Sequence, residues 1–398
     1  MHLRPQADGQ RVIRIRSGRV TAILGRRPGA TEVMVSVEPV EPDGAEGAEG
    51  AEGADGAEGA EARALGYDDL LGPLEVGDRV ALNTTAVALR LGTGGFHLVM
   101  ARLDGRELDD DGPGHVMKAR YTPSQVRVLA VEEEASPHRA AVAAVTDLGG
   151  LPVVCAELHS MVPVVAAAAR AVDGDLTVAY VMSDGAALPL AFSRLAAELR
   201  ASGLVAGIVT AGQAFGGDLE AVTLHSGLVA ARAVLRADVA VVAQGPGGMG
   251  TGTALGYSGT QVAEALNAVA ALGGRPVACL RMSTADARER HRGVSHHSLT
   301  ALGRLALAPA RVALPELADR SLAALVRRQL EGAGVSARHQ VVPVDPPDAG
   351  KLLAAWGLQV RTMGRGPDDD PVFFRAAAAA GTLAGRLAVG EAAAEAQA

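Results

Sequence analysis

Aromatic residues are scarce: five Phe, four Tyr and one Trp in 398 residues. That removes the platforms on which binders of single-stranded nucleic acid stack bases. Nucleic acid is therefore not an expected partner, although Arg11, Arg14, Arg16, Arg19, Arg26 and Arg27 make the first strands basic. Cysteine is limited to Cys155 and Cys279, both inside apolar strand-like runs. Buried thiols are expected there, not a disulfide framework. The chain opens with no secretory pattern and contains no run of about eighteen uncharged apolar residues, so a soluble cytoplasmic protein without membrane contact is expected. Several catalytic signatures are also missing. There is no G-x-x-x-x-G-K-[ST], which excludes a P-loop, and no G-x-S-x-G nucleophile elbow. No H-E-x-x-H, H-x-H or C-x-x-C spacing occurs, so spacing assigns no metal ligand set. No cofactor follows from any motif.

The formal charge of −8 is local. Glu41, Asp43, Glu46, Glu49, Glu52, Asp55, Glu58 and Glu61 carry it within residues 41–62, and the rest of the chain is neutral. No global field points to a partner. The Gly-Ala-Glu triplets of this stretch have a disordered insert's composition.

What is present divides in two. Residues 1–110 read as β, with Val12-Ile-Arg-Ile-Arg16 leading through Ser17-Gly18 into Val20-Thr-Ala-Ile-Leu24. Thr31–Val37 alternates, Val76–Leu82 is a turn feeding a strand, and Phe96–Leu103 adds another. A small barrel or sandwich is expected, with a connector over 111–136. From 137 to 390 strands and helices alternate, the pattern of a Rossmann-like, mostly parallel, doubly wound sheet. Its strands are expected at Pro152–Ala156, Leu176–Val181, Gly207–Thr210, Ala237–Gln244 and Pro276–Leu280, with further ones at Val312–Leu314, Gln340–Val344 and Leu358–Arg361. The fold class is thus α/β: a small N-terminal β barrel or sandwich, then the Rossmann-like domain. An Ala/Glu tail over 391–398 ends the chain.

Ala237–Gln244 runs straight into Gly245-Pro-Gly-Gly-Met-Gly-Thr-Gly252. Gly245, Gly247 and Gly250 satisfy G-x-G-x-x-G, and Gly248 and Thr251 lie between and beside them. A dinucleotide fingerprint follows the first strand and opens a helix at once. Here the next helical pattern starts about ten residues later, which argues for a glycine loop that holds a ligand through backbone N–H groups instead.

Most polar residues with chemical potential follow the carboxyl end of an expected strand, where open parallel sheets bind ligands. They are His159 and Ser160, Ser183 and Asp184, Gln213, Asp218, the glycine loop, and Arg288-Glu-Arg-His-Arg-Gly-Val-Ser-His-His297. Arg288, Arg290 and Arg292 lead to Ser295, an expected N-cap, and to His296 and His297. Guanidinium groups and a free helix N-terminus suit an anionic small molecule. Asp184 and His159 are the expected proton-transfer pair of an enzyme. The same crevice would serve a non-catalytic sensor or assembly subunit, and oligomeric state stays open. A metal-dependent hydrolase is the further alternative, drawing on His159, His225, His291, His296, His297, Asp184 and Asp218. Adjacent helical histidines point about 100° apart, so His296 and His297 share an ion only if the helix starts later.

The combination of Asn83-Thr-Thr-Ala-Val87, Gly92-Thr-Gly-Gly95, Arg120-Tyr-Thr-Pro123, Ser183-Asp-Gly-Ala-Ala-Leu-Pro189, Phe215-Gly-Gly-Asp218, the glycine loop and Arg290–His297 resembles an actinobacterial family known only as domain of unknown function 3866. The resemblance covers nearly the whole chain apart from the insert and the tail. It implies a bacterial cytosolic protein and brings no activity, cofactor or catalytic residue with it.

Overall fold

The computed structural model describes residues 13–39, 60–110 and 112–390. Most of the acidic insert and the tail lie outside the described residues. The chain separates into two compact units, Met1–Asp111 and Gly112–Ala398.

In the first unit, β1 (Ile15–Arg27), β2 (Ala30–Val37), β3 (Glu61–Tyr67), β4 (Arg79–Asn83) and β5 (His97–Arg102) form a closed barrel in the order β1-β2-β3-β5-β4. Closure leaves no strand edge to pair with another chain. The two strands expected on either side of Ser17-Gly18 are one. β1 runs through, with irregularities between Val20 and Ala22 and between Ile23 and Gly25, and pairs with both β2 and β4. A long strand bent in this way can close a small barrel. β3 was not legible in the sequence; it takes in Glu61 and Ala62, the last residues of the expected insert. Val20, Val33, Val35, Leu74, Val80 and Leu82 fill the interior.

The second unit opens with a hairpin of β6 (Val116–Lys118) and β7 (Val126–Val128). Its sheet uses β8 (Pro152–Cys155), β9 (Val178–Ser183), β10 (Gly207–Ala211), β11 (Leu219–Ala221), β12 (Val239–Gln244) and β13 (Arg275–Cys279). A two-residue ladder, β14 (Met282–Ser283) with β15 (Gly293–Val294), precedes β16 (Arg311–Pro315) and β17 (Gln340–Val344). The eight sheet strands are all parallel and lie in the order β11-β10-β9-β12-β8-β13-β16-β17. Every residue of β8, β9, β10 and β12 is buried. That accounts for their unbroken apolar runs in place of alternation. Leu358–Arg361 is not a strand: Leu358 and Val360 are buried against the helical layer without joining the sheet. β11 was missed because its three residues are too short for a periodic signal.

Strand side chains alternate between two cores. Val154, Tyr180, Met182 and Val241 face one layer, with helices Val162–Val172 and Pro371–Ala388. Val153, Val181 and Val242 face the other, with helices Leu224–Ala233 and Gln261–Ala271. Both thiols are free and buried. β8 leaves the sheet toward the first layer and its neighbour β12 toward the second. A crevice opens at the carboxyl ends of two adjacent strands whose chains part in this way.

The abundance of small residues has a packing role. A Cβ on Gly381 would stand 2.1 Å from the Val165 carbonyl oxygen and 2.9 Å from the Ala168 Cβ, and one on Gly385 2.9 Å from the Ala169 oxygen. The two helices thus touch nearly backbone to backbone. Gly381→Ala should gain about 1 kcal/mol in helix propensity but pay a larger overpacking cost of about 1–3 kcal/mol. A lower urea midpoint is expected, read from the fluorescence of Trp356, the single tryptophan. An unchanged or raised midpoint would show that the helices can move apart freely.

Candidate functional site

The crevice is built around Glu157, two residues beyond β8 and 3% exposed. A buried carboxylate needs partners, and two lie at the same oxygen. Arg281 Nη1 donates to Oε1 at 2.8 Å, and His297 Nδ1 is also 2.8 Å from it. Ser298 Oγ is 3.4 Å from Oε2. Burial pushes the Glu157 carboxyl upward, but the His297 hydrogen bond and the Arg281 charge outweigh it and hold the group below its usual range. Glu157 therefore stays ionised, and a proton on His297 is held at Nδ1, which leaves Nε2 as the acceptor nitrogen.

Arg281 follows β13, and the β14–β15 ladder returns the chain so that the Ser295 N–H donates to the Arg281 carbonyl at 2.8 Å. The Arg281 N–H donates to Ser298 Oγ at 3.0 Å. Ser295 is the N-cap foreseen, accepting from the His297 N–H at 3.2 Å. The helix is only His296–Thr300 before it widens into a π turn at Ala301–Leu305. The Ser295 oxygen also meets His291 Nδ1 at 2.8 Å.

Three imidazoles gather here. One ring nitrogen from each of His291, His296 and His297 lies within 4.8 Å of the other two. The helix starts at His296 itself, yet the rings of His296 and His297 are 4.3 Å apart. The 100° of a regular helix did not keep them apart, because both sit in the first turn and can lean toward His291. Burial, followed by the nearby Arg281 and Arg288 charges, pushes His291 down to about 3. Burial lowers His296 as well. Among the described residues His296 Nε2, which is buried, has no hydrogen-bond partner. Tyr257 stacks on His297 at 3.7 Å between ring centroids and donates its hydroxyl to the His297 carbonyl.

The glycine loop passes over this cluster. A Cβ on Gly250 would be 3.7 Å from His297 Cε1, and one on Gly252 3.7 Å from the Arg290 guanidinium carbon. Gly259 has to be glycine, since a Cβ would stand 2.6 Å from Glu157 Cγ. Next to the loop is a narrow cleft lined by Glu157, Ser183, Gln244 and Gln261, with room for about one water molecule. That is far below the ~300–1,000 Å³ of most small-molecule pockets; Gly247, Gly248, Gly250 and Thr251 of the loop are exposed.

The expected site residues are distributed unevenly. Ser183 donates to Gln261 Oε1 at 2.7 Å on the cleft wall. Asp184 accepts from the Gln213 N–H at 2.9 Å and lies 3.4 Å from Gln261 Nε2. Gly245 and its neighbours form the loop, and Ser160 lies in a short turn after β8 with His159. His159 is not beside Asp184. Its Nδ1 meets the Tyr180 hydroxyl at 2.9 Å and its Nε2 the Ser193 hydroxyl at 2.7 Å, so both nitrogens are engaged inside the core. Asp218 lies at the other edge. The chain after β10 doubles back to start β11, so Asp218 accepts from the Ile208 N–H at 2.7 Å near the start of β10 and pairs with Arg200. Arg288 is committed to Asp286, with contacts at 2.9 and 2.8 Å. Arg290 and Arg292 are exposed and have no acidic partner among the described residues. Glu157, Arg281 and Tyr257 were missed; the one legible signal was a lone Glu directly after an apolar strand.

Residues 63–381 match the family model described as "Protein of unknown function (DUF3866)". The chain belongs to the DUF3866 family. The matched stretch contains every residue of the crevice just described. No curated protein and no solved structure matches the chain. Among the described residues no helix is long and apolar enough to cross a membrane.

His159 makes acid sensitivity testable. Burial holds its imidazole down at about 4, against an ordinary 6.5. The unfolded chain takes up a proton below that ordinary value, whereas the folded state refuses it until about pH 4. Stability is therefore whole above pH 6.5 and is lost as the pH falls across this window, by on the order of 3 kcal/mol. Urea unfolding followed by Trp356 fluorescence should show the loss, and His159→Gln should reduce the slope, leaving the share that the likewise lowered His291 contributes. An equal slope in the variant would assign the effect to other groups.

Proposed function

We propose that the crevice at the carboxyl ends of β8 and β12 is the active site of an enzyme acting on an anionic small molecule, recognised through a phosphate or carboxylate group. One observation carries this reading. His297 is oriented by a buried, ionised Glu157, the Arg290 guanidinium lies beside Gly252 of the glycine loop, and neither Arg290 nor the exposed Arg292 two residues on has an acidic partner among the described residues.

Each part then has a task. Arg290 binds the anion with help from Arg292 two residues on, since a guanidinium group makes two-point contacts with phosphate or carboxylate. Ser183, Gln244 and Gln261 offer hydrogen bonds to uncharged parts of the ligand, and the glycine loop admits it close to the backbone. The reacting atom meets the imidazole cluster. Proton handling moves there from the Asp184–His159 pair, because neither nitrogen of His159 is free. Asp184 positions Gln261 and the loop after β10. Ser295 serves the cap and His291 and is not an anion contact. A cytoplasmic location belongs to this reading.

Thermal-shift titration with inorganic phosphate, pyrophosphate and nucleoside monophosphates should reveal at least one stabilising anion. Arg290→Ala should weaken its binding about ten- to a hundredfold, the range for losing a charged hydrogen bond. No response to any anion, or one indifferent to Arg290→Ala and Arg292→Ala, would remove the basis for the reading. Binding without turnover of the matching esters would favour a sensor.

A further inference from the structure

We propose that His291, His296 and His297 hold one divalent transition-metal ion of the zinc class. This deepens the reading above and rests on it for the substrate, though not for the metal. One ring nitrogen of each histidine already lies within 4.8 Å of the others. Three nitrogens bound tetrahedrally to zinc stand about 3.4 Å apart, a difference that side-chain rotation covers.

The surroundings match what such a ligand set needs. A ligating histidine usually gives its second nitrogen to a carboxylate, carbonyl or hydroxyl, which fixes the ring and its tautomer. His297 has Glu157 and His291 has Ser295 in that position, each through Nδ1 at 2.8 Å. Neither has a hydrogen bond at Nε2 among the described residues. His296 brings a buried Nε2 without a partner among the described residues, a costly state for a polar atom unless a ligand completes it. The donors also select the metal. Imidazole suits zinc, cobalt, nickel, copper and iron, while calcium and magnesium want oxygen, and both Glu157 oxygens are occupied by Arg281, His297 and Ser298.

Three neutral ligands leave the ion its full charge and room for water, which lowers the pKa of that water. The reaction class that follows is hydrolysis of an anionic ester. The water oxygen bonds to phosphorus or to the carbonyl carbon, the ester bond to the leaving oxygen breaks, and that oxygen takes the water proton.

The test uses the full chain, stripped with a chelator and dialysed against Co²⁺. One cobalt per chain is expected, with the visible absorption of a tetrahedral site. His291→Asn and His296→Asn should each abolish stoichiometric uptake, and Glu157→Gln should weaken it about ten- to a hundredfold with an unchanged circular-dichroism spectrum. No stoichiometric uptake by the wild type, or uptake unaltered in both histidine variants, overturns the site. Inorganic phosphate separates the two readings. Stoichiometric cobalt with no phosphate response removes the anion site and leaves the metal. A phosphate response lost in Arg290→Ala, in a chain that takes up no cobalt, does the reverse.

Discussion

A carboxylate with almost no access to water has to be paid for by its neighbours, and Glu157 is where that requirement organises the second unit. Its partners come from far along the chain: Arg281 after β13, and His297 and Ser298 from the short helix beyond the β14–β15 ladder. Leaving the charge unpaired costs several kcal/mol, so the end of β8, the end of β13 and the histidine segment are held to one arrangement. The same contacts point His297 at the glycine loop, which makes the orienting of an imidazole a by-product of satisfying a buried charge.

The position of Glu157 follows from topology. β8 and β12 are neighbours, and their chains leave toward opposite layers. Nothing fills the gap between their carboxyl ends except what the following loops bring. The loop after β12 brings glycines and Tyr257, and the loop after β13 brings arginines and histidines. Narrowness is a consequence of the small side chains. Gly259 lets Tyr257 and Glu157 approach closely, as Gly381 and Gly385 let two helices touch. A chain poor in aromatics obtains tight packing by bringing backbones together, and it does so in the core and at the site alike.

Much of this architecture was legible in residue order, for local reasons. Unbroken runs such as Val239–Gln244 have to be buried on both faces, and their alternation with helical segments implies a parallel sheet. The glycine loop, the Ser295 cap and the grouping of polar residues after strand ends were readable on the same ground. Less was legible where the signal is short or depends on a partner. β11 is three residues long, and β1 looked like two strands because only its pairing with β2 and β4 shows that Ser17-Gly18 does not turn. Asp218 looked like its neighbours in sequence until the chain doubled back to form β11.

The site divides in the same way. Sequence alone determined that histidines and arginines cluster between Arg288 and His297 and that a glycine loop follows a buried strand, since both are properties of contiguous residues. Tertiary structure decided which groups are free to act. It engaged both nitrogens of His159 in the core, committed Arg288 to Asp286, and placed Glu157, more than a hundred residues away in the chain, against His297. The physical reason is that whether a group is buried, charged or paired depends on neighbours in space, and those become neighbours only when the sheet has formed.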